Sequence, residues 1–253
     1  MHIRVKIDAR IAEIVLARPE KLNAVTPEMA AEMQRTCIDI DRDDSVRAVL
    51  FAGEGLRAFS AGSDLDSLAA YPSVWDFRNR IEYAAAVRGL RKPVVAALKG
   101  WALGGGAEIA LAADIRVGDQ STVIGFPEVT RGWVGGGGAS QMLPRLIGYG
   151  QAMKMLLTGE HVDAARALSL GLLEEMVEVG RAEERAREIC ATLAGLSPVA
   201  VQCVKAAVRA AHSMPLEAGL RYENELNALC FQAGDHMEGI NAFREGRAAR
   251  FSR

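Results

Sequence analysis

The sequence predicts an α/β protein with a parallel sheet and a helical C-terminal third. Three observations carry that expectation. Short apolar runs alternate with amphipathic segments through the first half, the order that gives parallel strands joined by right-handed crossovers. After about Gly138 the periodicity turns almost wholly helical. The 253 residues are half hydrophobic and one quarter charged, the profile of a folded globular chain.

In chain order, residues 3–7 and 11–17 read as a hairpin with residues 8–10 at its turn. Residues 19–25 read as a loop. Thr26 is placed to cap a helix, with Pro27 at its first position and Glu28 in its first turn; that helix runs to about Asp41. Residues 46–52 form an apolar strand. A polar loop follows, ending in residues 60–66. Residues 74–90 read as helix, 93–98 as a buried strand, 100–106 as a glycine-rich turn, 107–112 as the start of a helix and 115–117 as a strand. The helical candidates beyond are residues 151–157, 164–170, 182–193, 199–212, 216–231 and 236–247, interrupted by a possible strand within 173–179. This divides the chain into a core, residues 1–195, and a C-terminal helical region, residues 196–253, that caps the core or packs on a neighbouring subunit.

Composition excludes several function classes. The formal net charge is −2, whereas nucleic-acid and acidic-membrane binding need a basic excess; no basic stripe with interleaved aromatics occurs. No apolar run approaches the roughly 20 residues of a membrane span, and the charged, alternating N-terminus resembles no signal or transit peptide. Cys37, Cys190, Cys203 and Cys230 are scattered, as expected of small buried hydrophobes in a reducing, cytoplasmic setting. The four histidines show no ligand spacing, so no metal is expected.

Three segments bear chemistry: Ala58-Phe59-Ser60-Ala61-Gly62-Ser63-Asp64-Leu65; Gly100-Trp101-Ala102-Leu103-Gly104-Gly105-Gly106-Ala107-Glu108; and Gly125-Phe126-Pro127-Glu128, followed by Gly132-Trp133-Val134 and four glycines. Gly104 to Gly106 lie between a buried strand and a helix. A backbone without Cβ lets a ligand approach closely, and first-turn N–H groups favour an oxyanion or phosphate there. Three glycines are read as readily as a plain tight turn. Nucleotide motifs do not fit: the last position of a G-x-G-x-x-G pattern from Gly104 is Ile109, and G-x-x-x-x-G-K-[ST] is absent. Taken alone, Glu108 reads first as a surface carboxylate balancing the helix dipole, Glu128 as an exposed loop charge, and Asp64 or Ser63 as a helix cap.

Together these segments resemble the crotonase superfamily, most closely its enoyl-CoA hydratases. The resemblance begins at Arg18-Pro19-Glu20-Lys21-Leu22-Asn23-Ala24-Val25 and continues through Lys92-Pro93-Val94-Val95-Ala96-Ala97. Past the three segments above it runs to Leu157-Thr158-Gly159, Ala167-Leu168-Ser169-Leu170-Gly171-Leu172 and Glu238-Gly239-Ile240-Asn241-Ala242-Phe243, nearly the whole chain. It implies a spiral of β-β-α turns with a C-terminal helical region used in trimer contacts, as a homotrimer or a dimer of trimers. It further implies an oxyanion hole from the N–H groups of Ser63 and Gly105, with a side chain at Gly105 intruding on the thioester. Glu108 and Glu128 match the acid/base pair, and Lys21, Ala61, Asp64, Leu65 and Trp133 fall at substrate or CoA contacts. CoA arrives as part of an acyl-CoA substrate, with no separate cofactor.

Some positions depart from the family pattern. Asp66 stands where many members carry a nucleotide-binding lysine, Gly135 where proline is usual, Ser140-Gln141-Met142 where T-Q-R is usual, and Trp133 where a smaller residue is common. In the acyl pocket the indole would shorten the tail; otherwise it is a core or subunit-contact residue. A double-bond isomerase would need only one carboxylate, so a retained Glu108 favours a hydratase. The paired glutamates likewise disfavour a non-catalytic acyl-CoA-binding subunit.

Overall fold

The computed structural model describes residues 2–251. It opens with the expected hairpin, β1 (Ile3–Asp8) and β2 (Ile11–Leu16), turned by Ala9 and Arg10 at positive φ. Thr26 caps α1 (Pro27–Arg42) by accepting from Met29 N, with Pro27 in the first turn.

Three turns of a spiral follow. The first holds β3 (Ala48–Gly53), β4 (Ala58–Ser60), α2 (Leu65–Ala69), α3 (Val74–Arg78) and α4 (Tyr83–Arg88). The second holds β5 (Val94–Leu98), β6 (Trp101–Leu103) and α5 (Gly105–Ala112). The third holds β7 (Ile115–Asp119), β8 (Val123–Gly125), a 3-10 turn at Pro127–Arg131, α6 (Ala139–Ile147) and α7 (Tyr149–Thr158). Then come β9 (His161–Asp163), α8 (Ala164–Leu170), β10 (Glu175–Val177), α9 (Ala182–Gly195), α10 (Pro198–Ala210), α11 (Leu216–Ala233) and α12 (Asp235–Glu245).

Each turn gives one strand to each of two sheets. The larger has the order β1-β2-β3-β5-β7-β10, parallel except for the β1–β2 hairpin; the smaller is β4-β6-β8-β9, with β9 antiparallel. All six residues of β3 are buried because its sheet is covered on both faces. Val49 and Phe51 join the main core with α1 and α5, while Leu50, Val95 and Val117 meet Ala186 and Cys190 of α9.

The smaller sheet departs from the sequence expectation. β6 lies inside the stretch read as a tight turn, β4 lies in the stretch read as a polar loop, and β8 and β9 fall where the sequence marks no element. Each has three residues, too few to display a period of two. The helix expected over residues 74–90 is two short helices. Ser73 caps the first, and Glu82 restarts the second by accepting from Ala84 N and Ala85 N. α6 was not anticipated because Pro144 interrupts the pattern, yet the helix continues through it.

Asn23 joins β4 and the turn after β3 to the N-terminal loop. It is fully buried at φ 56°, and its Nδ2 donates to the carbonyls of Glu54, Ala58 and Phe59 at 2.9, 3.0 and 3.2 Å. Its Oδ1 accepts from Arg18 N at 3.0 Å. Asn23→Ala strands these groups and leaves alanine in a left-handed conformation. It is expected to cost about 3 kcal/mol by denaturant unfolding; a loss below about 1 kcal/mol would contradict this bracing role.

Candidate active site

Two chain segments meet backbone to backbone where the sheets end. After β4 the chain passes Gly62 at φ 88° to Ser63. Val25 N donates to Gly62 O at 2.8 Å, and Asp64 N donates to Val25 O at 2.9 Å. Extended backbone alternates its polar groups, so the N–H of Ser63 is turned away from Val25. Gly105 opens α5, and its N–H is one of the first-turn donors with no intrahelical acceptor. Among the described residues neither N–H has an acceptor. A Cβ at Gly62 would stand 2.8 Å from Gly105 N, so only glycine lets the segments touch. Gly104, at φ 52° and ψ −124°, aims the helix start.

The Cα of Gly105 faces differently from the sequence expectation. A side chain there would meet the Tyr83 hydroxyl, 1.7 Å from an ideal Cβ, before reaching any ligand. Tyr83 O–H also lies 2.8 Å from Ser63 Oγ. Tyr83 therefore backs both residues that carry the free N–H groups. Sequence reasoning missed it, because a tyrosine on an apolar helix face carries no signal of its own.

Glu108 is no surface carboxylate. All eight residues of α5 are buried, and Glu108 is 4% exposed. Its Oε1 accepts from Gly137 N at 2.8 Å and Ala139 N at 3.0 Å. A Cβ at Gly135 would come within 2.8 Å of Oε1, and one at Gly137 within 2.5 Å of Oε2. The glycine run is thus the wrapping of this carboxylate. Burial pushes the Glu108 pKa up against the two N–H donors, with Glu128 and Glu82 adding to the rise. Glu128 sits on the 3-10 turn after β8, its Oε1 3.1 Å from an ideal Cβ on Gly104. Its pKa is also raised, chiefly by burial, against its own backbone N–H and Arg131.

Ser63, Gly105, Glu108 and Glu128 all line one cavity of about 520 Å³. Lys21, Ala61, Asp64 and Leu65 line it as well. The Asp64 carboxylate is already engaged: it accepts from Arg18 Nη1 at 2.6 Å and caps α2 through Ser67 N at 3.1 Å. Arg18 holds its pKa below the usual range. Trp133 lines the cavity too, 43% exposed, with its ring 5.3 Å from that of Phe77. Phe77, Arg80 and Glu82, which also line it, lie in a stretch that the sequence marked only as helical.

Residues 6–253 match the sequence profile described as enoyl-CoA hydratase/isomerase. The chain belongs to the enoyl-CoA hydratase/isomerase family. It is 33% identical to the short-chain-enoyl-CoA hydratase of Clostridium acetobutylicum, over 95% of this chain and 93% of that one. To the (E)-benzylidenesuccinyl-CoA hydratase of Thauera aromatica it is again 33% identical, over 99% of both. Among solved structures, the enoyl-CoA hydratase of Bacillus anthracis superposes with a TM-score of 0.93 at 32% identity, covering 99% of each chain. In this member of the enoyl-CoA hydratase/isomerase family, no group of three or more His, Cys, Asp or Glu is placed to hold a metal ion among the described residues. Nor, among them, is any single helix long and apolar enough to cross a membrane.

The raised pKa of Glu108 makes the site costly to stability. A carboxyl that holds its proton more tightly when folded loses folding free energy as pH rises from the unfolded value, 4.5, through the raised one. Glu108→Gln stays neutral and can still accept from both N–H groups. It is expected to melt above the wild type at pH 8, with the gap closing toward pH 4.5. A gap independent of pH would show that the Glu108 carboxylate is not penalised by burial.

Proposed function

We propose that the chain is an enoyl-CoA hydratase, reversibly adding water across the C2–C3 double bond of a 2-enoyl-CoA. The observation that carries this reading is the placement of two partly desolvated carboxylates and two unpaired backbone N–H groups on one cavity. The N–H groups of Ser63 and Gly105 receive the thioester oxygen and stabilise the enolate charge that develops on it. Gly137 N and Ala139 N fix Glu108 Oε1 and favour its ionised form. Oε2 is then the oxygen that orients water and takes its proton for attack at C3. Glu128, raised by burial and without such donors from other residues, delivers the proton to C2. Dehydration of a 3-hydroxyacyl-CoA runs the same steps in reverse. In this reading CoA enters with the substrate past Lys21, Ala61, Asp64 and Leu65, Trp133 walls the acyl group, and no metal or redox cofactor takes part. A double-bond isomerase would leave the second buried carboxylate without a task.

The same reading takes residues 1–195 as the site-bearing core and 196–253 as a subunit-contact region of a cytoplasmic homotrimer or homohexamer. Its support is the apolar surface of the last helices. No residue of α11 is buried, Leu216 and Phe231 are 74% and 71% exposed, and Phe243 of α12 is 87% exposed. A folded monomer rarely leaves so much adjoining apolar surface in water.

Glu108→Gln and Glu128→Gln preserve shape and remove proton transfer, so each is expected to lower kcat for crotonyl-CoA hydration by about 10²- to 10⁴-fold. Loss of the conjugated-thioester absorbance reports the rate. The wild-type pH profile should be bell-shaped, with both limbs above 4.5: the base must be ionised, the acid protonated, and burial raises both. Near-normal hydration by Glu108→Gln would favour the isomerase.

A further inference from the structure

Beside the two carboxylates the cavity has a second chemical feature, a guanidinium that forms no ion pair among the described residues. Arg80 lines the cavity half-buried, its Cζ 4.2 Å from the centroid of the Phe77 ring. Its Nη1 donates to Phe77 O at 2.8 Å, which anchors one arm of the fork. The ring of Trp133 packs on Phe77, which makes Trp133, Phe77 and Arg80 one continuous wall. Arg80 Nη2 would lie 2.4 Å from a Cβ on Gly136. Gly136 stands between Gly135 and Gly137, the two glycines packed on the Glu108 carboxylate. The free edge of the guanidinium therefore borders the acid/base centre across a strip of bare backbone.

Among the described residues Arg80 forms no ion pair, and Nη2 has no hydrogen-bond partner. Glu82, two residues on, spends both oxygens on the start of α4, accepting from Ala84 N at 3.1 Å and Ala85 N at 2.7 Å. Carboxylates line the same cavity, but none forms an ion pair with Arg80 among the described residues, and a partly desolvated cation gains when a ligand brings an anion to its open edge. A planar fork with an open edge suits a carboxylate, which it grips with two parallel hydrogen bonds.

We propose that Arg80 reads a second, free carboxylate on the acyl group. The preferred substrates are then short 2-enoyl-CoA thioesters whose acyl chain ends in a carboxylate rather than a methyl. The aromatic wall of Phe77 and Trp133 confines the chain between the reacting carbons and the guanidinium. This deepens the reading of the site as an enoyl-CoA hydratase and rests on it for the chemistry, though not for the binding.

The test pairs thioesters that differ only at the far end. Glutaconyl-CoA and 2-pentenoyl-CoA compare turnover; their saturated counterparts, glutaryl-CoA and pentanoyl-CoA, compare binding by calorimetry without any need for hydration. Each pair shares the same CoA, so any contact of Arg80 with its phosphates cancels. The carboxylated member should be favoured about tenfold or more in kcat/KM and in Kd, the range of a charge-assisted hydrogen bond. Arg80→Met should collapse both ratios, and Arg80→Lys should restore part of them. Gly136→Ala provides a second route: its methyl displaces only the far end of a flexible side chain, so the fold is kept while the guanidinium moves, and the ratios should fall. A binding preference with no hydration of either enoyl thioester would uphold the carboxylate site and sink the hydratase reading. Equal or weaker binding of glutaryl-CoA by the wild type, or ratios that survive in folded Arg80→Met and Gly136→Ala proteins, would overturn the proposal.

Discussion

The site depends on one close approach, between the backbone of residues 60–63 and that of residues 104–106. A Cβ on Gly62 would fall 2.8 Å from Gly105 N, and one on Gly106 would fall 2.2 Å from Ser60 O. Such contact is open only to glycine, and it sets two peptide planes side by side with their N–H groups unused. The two sheets make the approach possible. β4 and β6 are parallel neighbours, so the chain leaves both strands at the same end and turns into the same cavity. Asn23 then ties the incoming loop to β4 and to the turn that follows β3. Fixed dipoles of this kind need no reorganisation when charge develops on a bound oxygen.

Around that contact the protein accepts electrostatic cost. Glu108 sits in a helix whose every residue is buried, and the desolvation that raises its pKa disfavours its charged form. The glycine run limits the cost by bringing Gly137 N and Ala139 N onto one oxygen. Glu128 and Arg80 extend the pattern: each is a polar group held short of full solvation at the cavity wall. Concentrating partly desolvated titratable groups on one cavity is the usual mark of a site selected for activity rather than stability.

Much of this was legible in the sequence, for physical reasons that differ by element. The hairpin, α1 and the larger sheet announced themselves through alternation, capping residues and long apolar runs. The chemistry-bearing segments were legible only as a set, through their resemblance to the crotonase superfamily; taken singly, the glycines read as a tight turn and Glu108 as a surface carboxylate balancing the helix dipole. The smaller sheet was not, because three-residue strands display no period. Tyr83, Arg80 and Phe77 were hidden for another reason. They lie at or beside the break between α3 and α4, where Glu82 caps a new helix, and a periodicity argument over residues 74–90 averages that break away. Asp64 shows a mixed case: its position at the cavity and its role as a helix cap were legible, but its ion pair with Arg18 was not.

The central claim is that Ser63 N–H and Gly105 N–H polarise a bound thioester. The most direct measurement is the infrared carbonyl stretch of an isotopically labelled enoyl-CoA bound to the slow Glu128→Gln protein. Donation from two fixed N–H groups predicts a stretch shifted clearly to lower frequency than that of the same thioester free in water. A bound carbonyl at the free frequency, with saturation shown independently, would mean that the thioester oxygen lies elsewhere.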